Sequence, residues 1–193
     1  MLFRSWKSED GGKTWKNVGL KDTRHITNIV IHPNDPNTVW AGVMGHLFGP
    51  STERGIYKTT DGGKTWKKVL YVNEQTGCAD LIMEPGNPSV LYAGTWRLIR
   101  TPYSLESGGD GSGLWKSTDG GETWNNISSS KGLPKGVWGI VSVAVAPSNV
   151  DKVYAIIENE KGGLFVSNDG GQTWNLQSND NNIRQREIGR AHV

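Results

Sequence analysis

Apolar residues in this chain come in short β-branched and aromatic runs cut off by Pro, Asn and Gly, and no stretch sustains a helical period. One run, Ile29-Val30-Ile31-His32-Pro33, leads through Asn34-Asp35-Pro36-Asn37 into Thr38-Val39-Trp40-Ala41-Gly42. The same figure returns as Leu81 to Pro85 with Val90-Leu91-Tyr92-Ala93-Gly94, and as Val143 to Pro147 with Val153-Tyr154-Ala155. In all three the aromatic stands seven residues after the proline. Runs of this kind, bounded by turn formers, read as strands joined by turns.

Between these runs one octamer occurs four times: Ser or Thr, any residue, Asp, Gly, Gly, any residue, Thr, Trp. The copies are Ser8 to Trp15, Thr59 to Trp66, Ser117 to Trp124 and Ser167 to Trp174, and their tryptophans lie 51, 58 and 50 positions apart. Each repeat thus supplies four strands, in the second repeat about Thr27–Ile31, Thr38–Val43, Gly55–Thr59 and Thr65–Leu70. Four short strands every fifty residues predict an all-β partial propeller, about three four-stranded blades plus part of a fourth.

The octamer is predicted to be the hairpin between the third and fourth strands. Asp10, Asp61, Asp119 and Asp169 are placed to accept backbone N–H groups of their own turn, as Asx-turns do. The second glycines, Gly12, Gly63, Gly121 and Gly171, supply positive φ without a clashing Cβ. The hydroxyls of Thr14, Thr65, Thr123 and Thr173 close the turn. Trp15, Trp66, Trp124 and Trp174 then open the outgoing strand with a large apolar surface to bury. Identical acids in every repeat fit a structural part better than a single catalytic or calcium site, and an EF-hand ligand series is absent.

These octamers resemble the Asp-box, or BNR, repeat of sialidases, xyloglucanase-type glycoside hydrolases and the sortilin N-terminal propeller. The strand–Pro–turn–strand pattern is most similar to large bacterial proteins of sortilin-like or BNR-repeat glycosyl-hydrolase type. The resemblance covers residues 6 to about 178. It implies a box that is a fold element distant from the ligand face, and a parent that is secreted or periplasmic. It identifies architecture more securely than activity.

If the boxes hold the frame, function lies in what differs between repeats. The connector from the aromatic to the next box is 19, 25 and 13 residues long in the three repeats. Variable loops on a rigid scaffold are where binding groups sit. The first connector holds Met44 to Pro50, including His46, and then Glu53-Arg54; the second holds Trp96, Arg97, Arg100 and Tyr103, then Glu106 and Asp110. Flat aromatic faces beside guanidinium donors suit a sugar or a peptide, although packing under a long loop explains the same residues. Arg24, His25, His46 and Asp80 form a second polar set. Asp80 occupies the position of Asn28 and Ser142, so the repeat does not require it.

The four histidines have no metal-ligand spacing, and no nucleotide or phosphate fingerprint appears, so neither metal nor cofactor is expected. A net charge of +2, with no Lys/Arg cluster, argues against nucleic acid. Apolar runs are too short to span a bilayer. The single cysteine, Cys78, excludes an internal disulfide framework. Paired carboxylates for glycoside hydrolysis are not evident from spacing among Glu106, Asp110, Glu53, Asp80 and Asp22. The sialidase Phe/Tyr-Arg-Ile-Pro signature is missing.

Both ends carry a further pattern. Glu187 to Val193 back-translates as a short-read sequencing adapter, and Leu2-Phe3-Arg4-Ser5 as its reverse complement. Residues 1–5 and 187–193 are therefore expected to lie outside the fold, leaving 6–186 as a fragment of one propeller domain. The reading that follows is a binding or scaffold module for a polysaccharide, peptide or protein, completed by the remaining blades of its parent. The alternative is part of a polysaccharide-active glycoside hydrolase whose acids lie wholly or partly elsewhere.

Overall fold

The computed structural model describes residues 5–184. The strands form four antiparallel sheets in chain order. Sheet I has two strands, β1 (Trp6–Lys7) and β2 (Lys16–Asn17). Sheet II is β3 (His25–His32), β4 (Asp35–Gly45), β5 (Gly55–Thr59) and β6 (Lys67–Leu70), in that order. Sheet III is β7 (Thr76–Glu84), β8 (Asn87–Arg100), β10 (Gly113–Ser117) and β11 (Asn125–Asn126), with β9 (Leu105–Ser107) added on β8. Sheet IV is β12 (Val141–Ala146), β13 (Asn149–Ile157), β14 (Gly163–Ser167) and β15 (Asn175–Ser178). One helical turn, α1 (Asn181–Arg184), follows. This is a partial β-propeller of three full blades and the outer half of another.

Several boundaries differ from the sequence reading: β3 and β4 extend one to three residues beyond the expected spans at each end, and two further differences have identifiable causes. The outgoing strand of sheet II starts at Lys67 rather than Thr65, because the N–H and hydroxyl of Thr65 are both held by Asp61 inside the turn. The second connector is no plain loop: β8 runs on to Arg100 and folds back, pairing Leu98 with Ser107 and Arg100 with Leu105. Its alternation continues there, with Trp96 and Leu98 buried. Ser5, grouped with the adapter-like residues, is buried, and its hydroxyl donates to the Gly19 carbonyl at 2.9 Å, so it belongs to sheet I. The other adapter-like positions, 1–4 and 187–193, lie outside the described residues.

Because successive strands are antiparallel, connectors alternate between two ends. Boxes and first-to-second turns share one end; second-to-third and sheet-to-sheet connectors share the other. At the box end, the first box glycine of each full sheet donates its N–H to a carbonyl at the start of the second strand. The pairs are Gly62 to Asn37 at 3.0 Å, Gly120 to Ser89 at 2.8 Å and Gly170 to Asp151 at 2.9 Å.

The core lies between sheets. Trp40 of sheet II packs on Leu81, Leu91 and Ala93 of sheet III. Tyr92 of sheet III packs on Val143, Val145, Val153 and Ala155 of sheet IV. Each such side chain withdrawn from water contributes about 1.5–3 kcal/mol. The same contact is therefore made twice, one repeat apart. A lysine completes it. Lys58 Nζ sits 5.3 Å from the Trp40 ring centroid and donates to the Gly120 carbonyl at 2.8 Å; Lys116 sits 5.2 Å over Tyr92 and donates to Gly170 at 2.7 Å.

Candidate ligand-binding face

At the box end the aspartates are consumed by their own turns. In the third box, Asp119 accepts the Ser117 hydroxyl at 2.8 Å, the Thr123 N–H at 3.0 Å and the Thr123 hydroxyl at 2.5 Å. Gly121 N–H donates to Ser117 Oγ at 2.8 Å. The other three repeat this, with Thr14, Thr65 and Thr173 hydroxyls each 2.6 Å from Asp10, Asp61 and Asp169. Glycines Gly12, Gly63, Gly121 and Gly171 all have φ near +80° to +90°. Donors from the threonine hydroxyl and then its N–H favour the ionised carboxylate. They lower Asp10 and Asp169 to about 2, and hold Asp61 and Asp119 further below the usual range.

The box tryptophans are not alike. Trp174 is 3% exposed and Trp15 is 56% exposed. The connector entering each sheet explains this. Val18 accepts the Trp66 indole N–H at 2.7 Å, and Lys131 accepts the Trp174 backbone N–H at 2.8 Å. No corresponding segment covers Trp15 among the described residues.

The opposite end gathers part of the expected set. Gly45, the last residue of β4, bridges Arg24, and its carbonyl lies 3.0 Å from His25 Nδ1, so Arg24 and His25 stand beside His46. Arg24 is held at φ 57° to make this turn. His46 meets Phe48 edge-on at 6.4 Å, and the Arg100 guanidinium lies 5.7 Å from the Phe48 ring. Sheets II and III thus share one surface cluster. Tyr103, at the tip of the β8–β9 hairpin, is 91% exposed.

Three expected members do other work. Trp96 is buried against Met44 and Leu98, with its N–H on Ser107 Oγ at 2.9 Å, so it offers no face to a ligand. Arg97 donates to Gln75 Oε1 at 3.0 Å, to the Gly108 carbonyl at 2.9 Å and to Glu106 at 3.5 Å. Asp80 staples three sheets: Oδ1 accepts from Asn28 of sheet II at 3.2 Å and from its neighbour Leu81 N–H, and Oδ2 accepts from the Val143 N–H of sheet IV at 2.9 Å. Burial of Trp96 and the internal bonds of Arg97 and Asp80 draw these side chains away from a binding surface.

Two residues organise this end without a signal in the sequence. Arg54 is fully buried and faces no carboxylate within ion-pair distance among the described residues. Its guanidinium donates to the carbonyls of Gln75 at 2.6 Å, His46 at 2.7 Å, Gly49 at 3.3 Å and Leu98 at 3.4 Å. Burial lowers its pKa from the usual guanidinium value. It pins the His46–Gly49 loop from beneath. Glu158, at the end of β13, accepts Ser107 Oγ at 2.6 Å and Ile140 N–H at 2.9 Å, tying β9 to sheet IV. A cleft of about 690 Å³ lies between the Gly109–Ser112 and Ser128–Trp138 segments, and Asp110 is the one carboxylate in its lining. Among the described residues no His, Cys, Asp and Glu side chains group as a metal site, and no helix is long and apolar enough to cross a membrane.

Repeated Asp-box hairpins, four-stranded sheets and inter-sheet aromatic contacts define an Asp-box β-propeller, and the comparisons with known proteins agree. The family profile described as sortilin, neurotensin receptor 3, matches residues 4–130, and the BNR/Asp-box repeat profile matches residues 165–176. The chain belongs to the sortilin/Vps10 family.

Its relatives fall in two groups. Xyloglucanase Xgh74A of Acetivibrio thermocellus is 30% identical over 113 residues, 54% of this chain and 12% of that protein. Vacuolar protein sorting/targeting protein 10 of Sordaria macrospora is 36% identical over 63 residues, 33% of this chain and 4% of that protein. The chain therefore spans only a small part of the curated relatives it matches. The crystal structure of the GH74 xyloglucanase from Xanthomonas campestris superposes with a TM-score of 0.64 over 95% of this chain and 28% of that one, at 19% identity. That likeness is one of fold.

Proposed function

We propose that residues 6–186 are consecutive blades of a larger propeller that acts as a non-catalytic binding module. Its ligand, a polysaccharide or a peptide, lies on the connector end over His46, Phe48, Arg100 and Tyr103. The observation that carries this is the Phe48–Arg100 contact. An exposed ring and a guanidinium from different sheets are brought together on a loop that Arg54 holds rigid. Rigid aromatic faces with forked donors recognise flat, polar polymers at small entropic cost. Four of the nearby carboxylates are engaged internally: Asp80 and Glu158 as staples, Glu53 on the Tyr57 hydroxyl at 2.9 Å and Glu106 on Arg97; Asp110 stands in the cleft lining without a second carboxylate. Hydrolysis of a glycosidic bond needs two carboxyl groups facing each other across the substrate.

The second reading, a polysaccharide-active glycoside hydrolase with its acids in other blades, is favoured by the xyloglucanase relatives. Titration of the chain with xyloglucan oligosaccharides and with a peptide panel tests the face, and assay of reducing ends released by the full-length parent separates the two. Binding weakened about tenfold or more by Phe48→Ala or Arg100→Ala, without new reducing ends, supports the module. Release of reducing ends supports the hydrolase. Absence of binding, or binding indifferent to both substitutions, overturns the proposed face.

A further inference from the structure

Sheet II carries a seat for an aromatic side chain that sheets III and IV show already filled. Ile29 and Ile31 of β3 are 56% and 58% exposed, whereas their repeat equivalents Leu81, Val143 and Val145 are 3%, 6% and 6% exposed. What covers those equivalents is the aromatic of the preceding sheet: Trp40 over Leu81, Tyr92 over Val143 and Val145. Sheet I consists only of the strand pair flanking its box, so no such aromatic stands before sheet II among the described residues.

The space left is a pocket of about 260 Å³ lined by Ile29, Ile31, Val39, Ala41, Gly62 and Trp66, among others. Each has its counterpart around Trp40: Leu81, Met83, Leu91, Ala93, Gly120 and Trp124. The polar fitting is also repeated. Trp40 donates to the Gly120 carbonyl at 3.0 Å and Tyr92 to the Gly170 carbonyl at 3.0 Å, and Gly62 is the same residue of its own box. Lys7 takes the place of Lys58 and Lys116. No ring lies beneath it among the described residues, and its ammonium pairs with Glu9 at 3.2 Å.

We infer that this pocket is a specific site for an aromatic hydrogen-bond donor, an indole or a phenol. Its occupant is an inner β-hairpin of this same repeat with a Trp or Tyr seven residues after its proline. The inference rests on the reading of the chain as blades of a larger propeller, and it continues a blade interface the structure already contains twice. The ring is sandwiched between Lys7 and the apolar floor, with its N–H or O–H on the Gly62 carbonyl. The hairpin's second strand pairs with the edge of β1 that is open among the described residues, where β1 pairs with β2. Only two strands fit, because β1 and β2 already hold the outer half of that blade. A whole fourth blade from a second copy would collide with them.

Titration of the 193-residue chain with indole, followed by NMR of glycine amides and isoleucine methyls, tests the site independently of any larger assembly. Saturable shifts are expected at Gly62, Gly63, Ile29 and Ile31, with 1-methylindole, which lacks the donor, binding about threefold to tenfold more weakly. Ile29→Ser with Ile31→Ser, at positions exposed in this chain, should abolish the shifts, and Phe48→Ala should leave them. Scattered or absent shifts, or shifts indifferent to the isoleucine changes, overturn the site.

A chain extended by a copy of residues 25–55 ahead of Ser5, which keeps the 51-residue repeat offset, tests the occupant. Loss of indole binding, restored by Trp40→Ala in the copied segment, supports it. Unchanged indole binding in the extended chain, or dimerisation of the original chain competed by indole, overturns it.

Discussion

The indole N–H of Trp40 donates to the carbonyl of Gly120 at 3.0 Å across a sequence separation of 80 residues and one sheet boundary. Tyr92 makes the same bond to Gly170 across 78 residues. The box is therefore more than a turn. It presents one carbonyl to its neighbour, and the neighbour's buried aromatic is anchored on it.

Trp40→Phe loses the bond and part of the indole's volume, so it should cost about 1–3 kcal/mol. Trp40→Ala empties the space between sheets II and III and should cost about 3–5 kcal/mol. Urea denaturation of the two variants beside the parent measures both. A Phe variant as damaging as Ala would mean that the carbonyl contact, rather than packing, holds the interface.

Acid should weaken the fold in a defined window. The box aspartates have folded pKa values below their unfolded ones, so their contribution is fully present above about pH 4. It is lost as pH falls through the folded value, about 2 for Asp10 and Asp169. Thermal midpoints should be flat from pH 7 to about 5 in this respect and fall between about pH 4 and 2. Asp119→Asn, which cannot ionise, should lower stability at pH 7 and shrink the acid-dependent drop.

Arg54 is a buried cation whose two terminal nitrogens donate to four carbonyls, while its Nε–H has no partner among the described residues. Arg54→Met fills the space but leaves those oxygens without donors, at about 1–3 kcal/mol for each that water cannot reach. Amide hydrogen exchange should accelerate over 46–49 and around Gln75 more than over sheet IV. Arg54→Lys should recover only part, because a point charge cannot serve four acceptors in a fork geometry.

Asp80→Asn tests the three-sheet staple. Asparagine preserves size but offers one oxygen where two are used, leaving either Val143 N–H or the Asn28 and Leu81 donors facing an amide NH₂. A loss of about 1–3 kcal/mol is expected in denaturant titration. No loss would mean that water takes over the bond.

Fold class, repeat count and box chemistry were legible because they are local. An aspartate that binds its own turn, a glycine that must take positive φ and a strand that alternates every second residue are all fixed by neighbours within about eight positions. Strand boundaries moved where side-chain bonds or added pairing took over the backbone, as with Asp61 on Thr65 and the β8–β9 pairing.

The candidate face was only half legible, for the opposite reason. Trp96, Arg97 and Asp80 have the composition of a binding surface, yet sheet III closes over the first and internal acceptors or donors occupy the others. Phe48 and Arg100 meet from separate sheets, and nothing in their spacing says so. The amino-acid sequence by itself determined which turns form and how often. Only the tertiary structure decided which aromatics are core, which carbonyl each repeat lends to the next and which side chains remain in water. Those depend on contacts between residues a full repeat or more apart, whose strength is set by burial rather than by residue type.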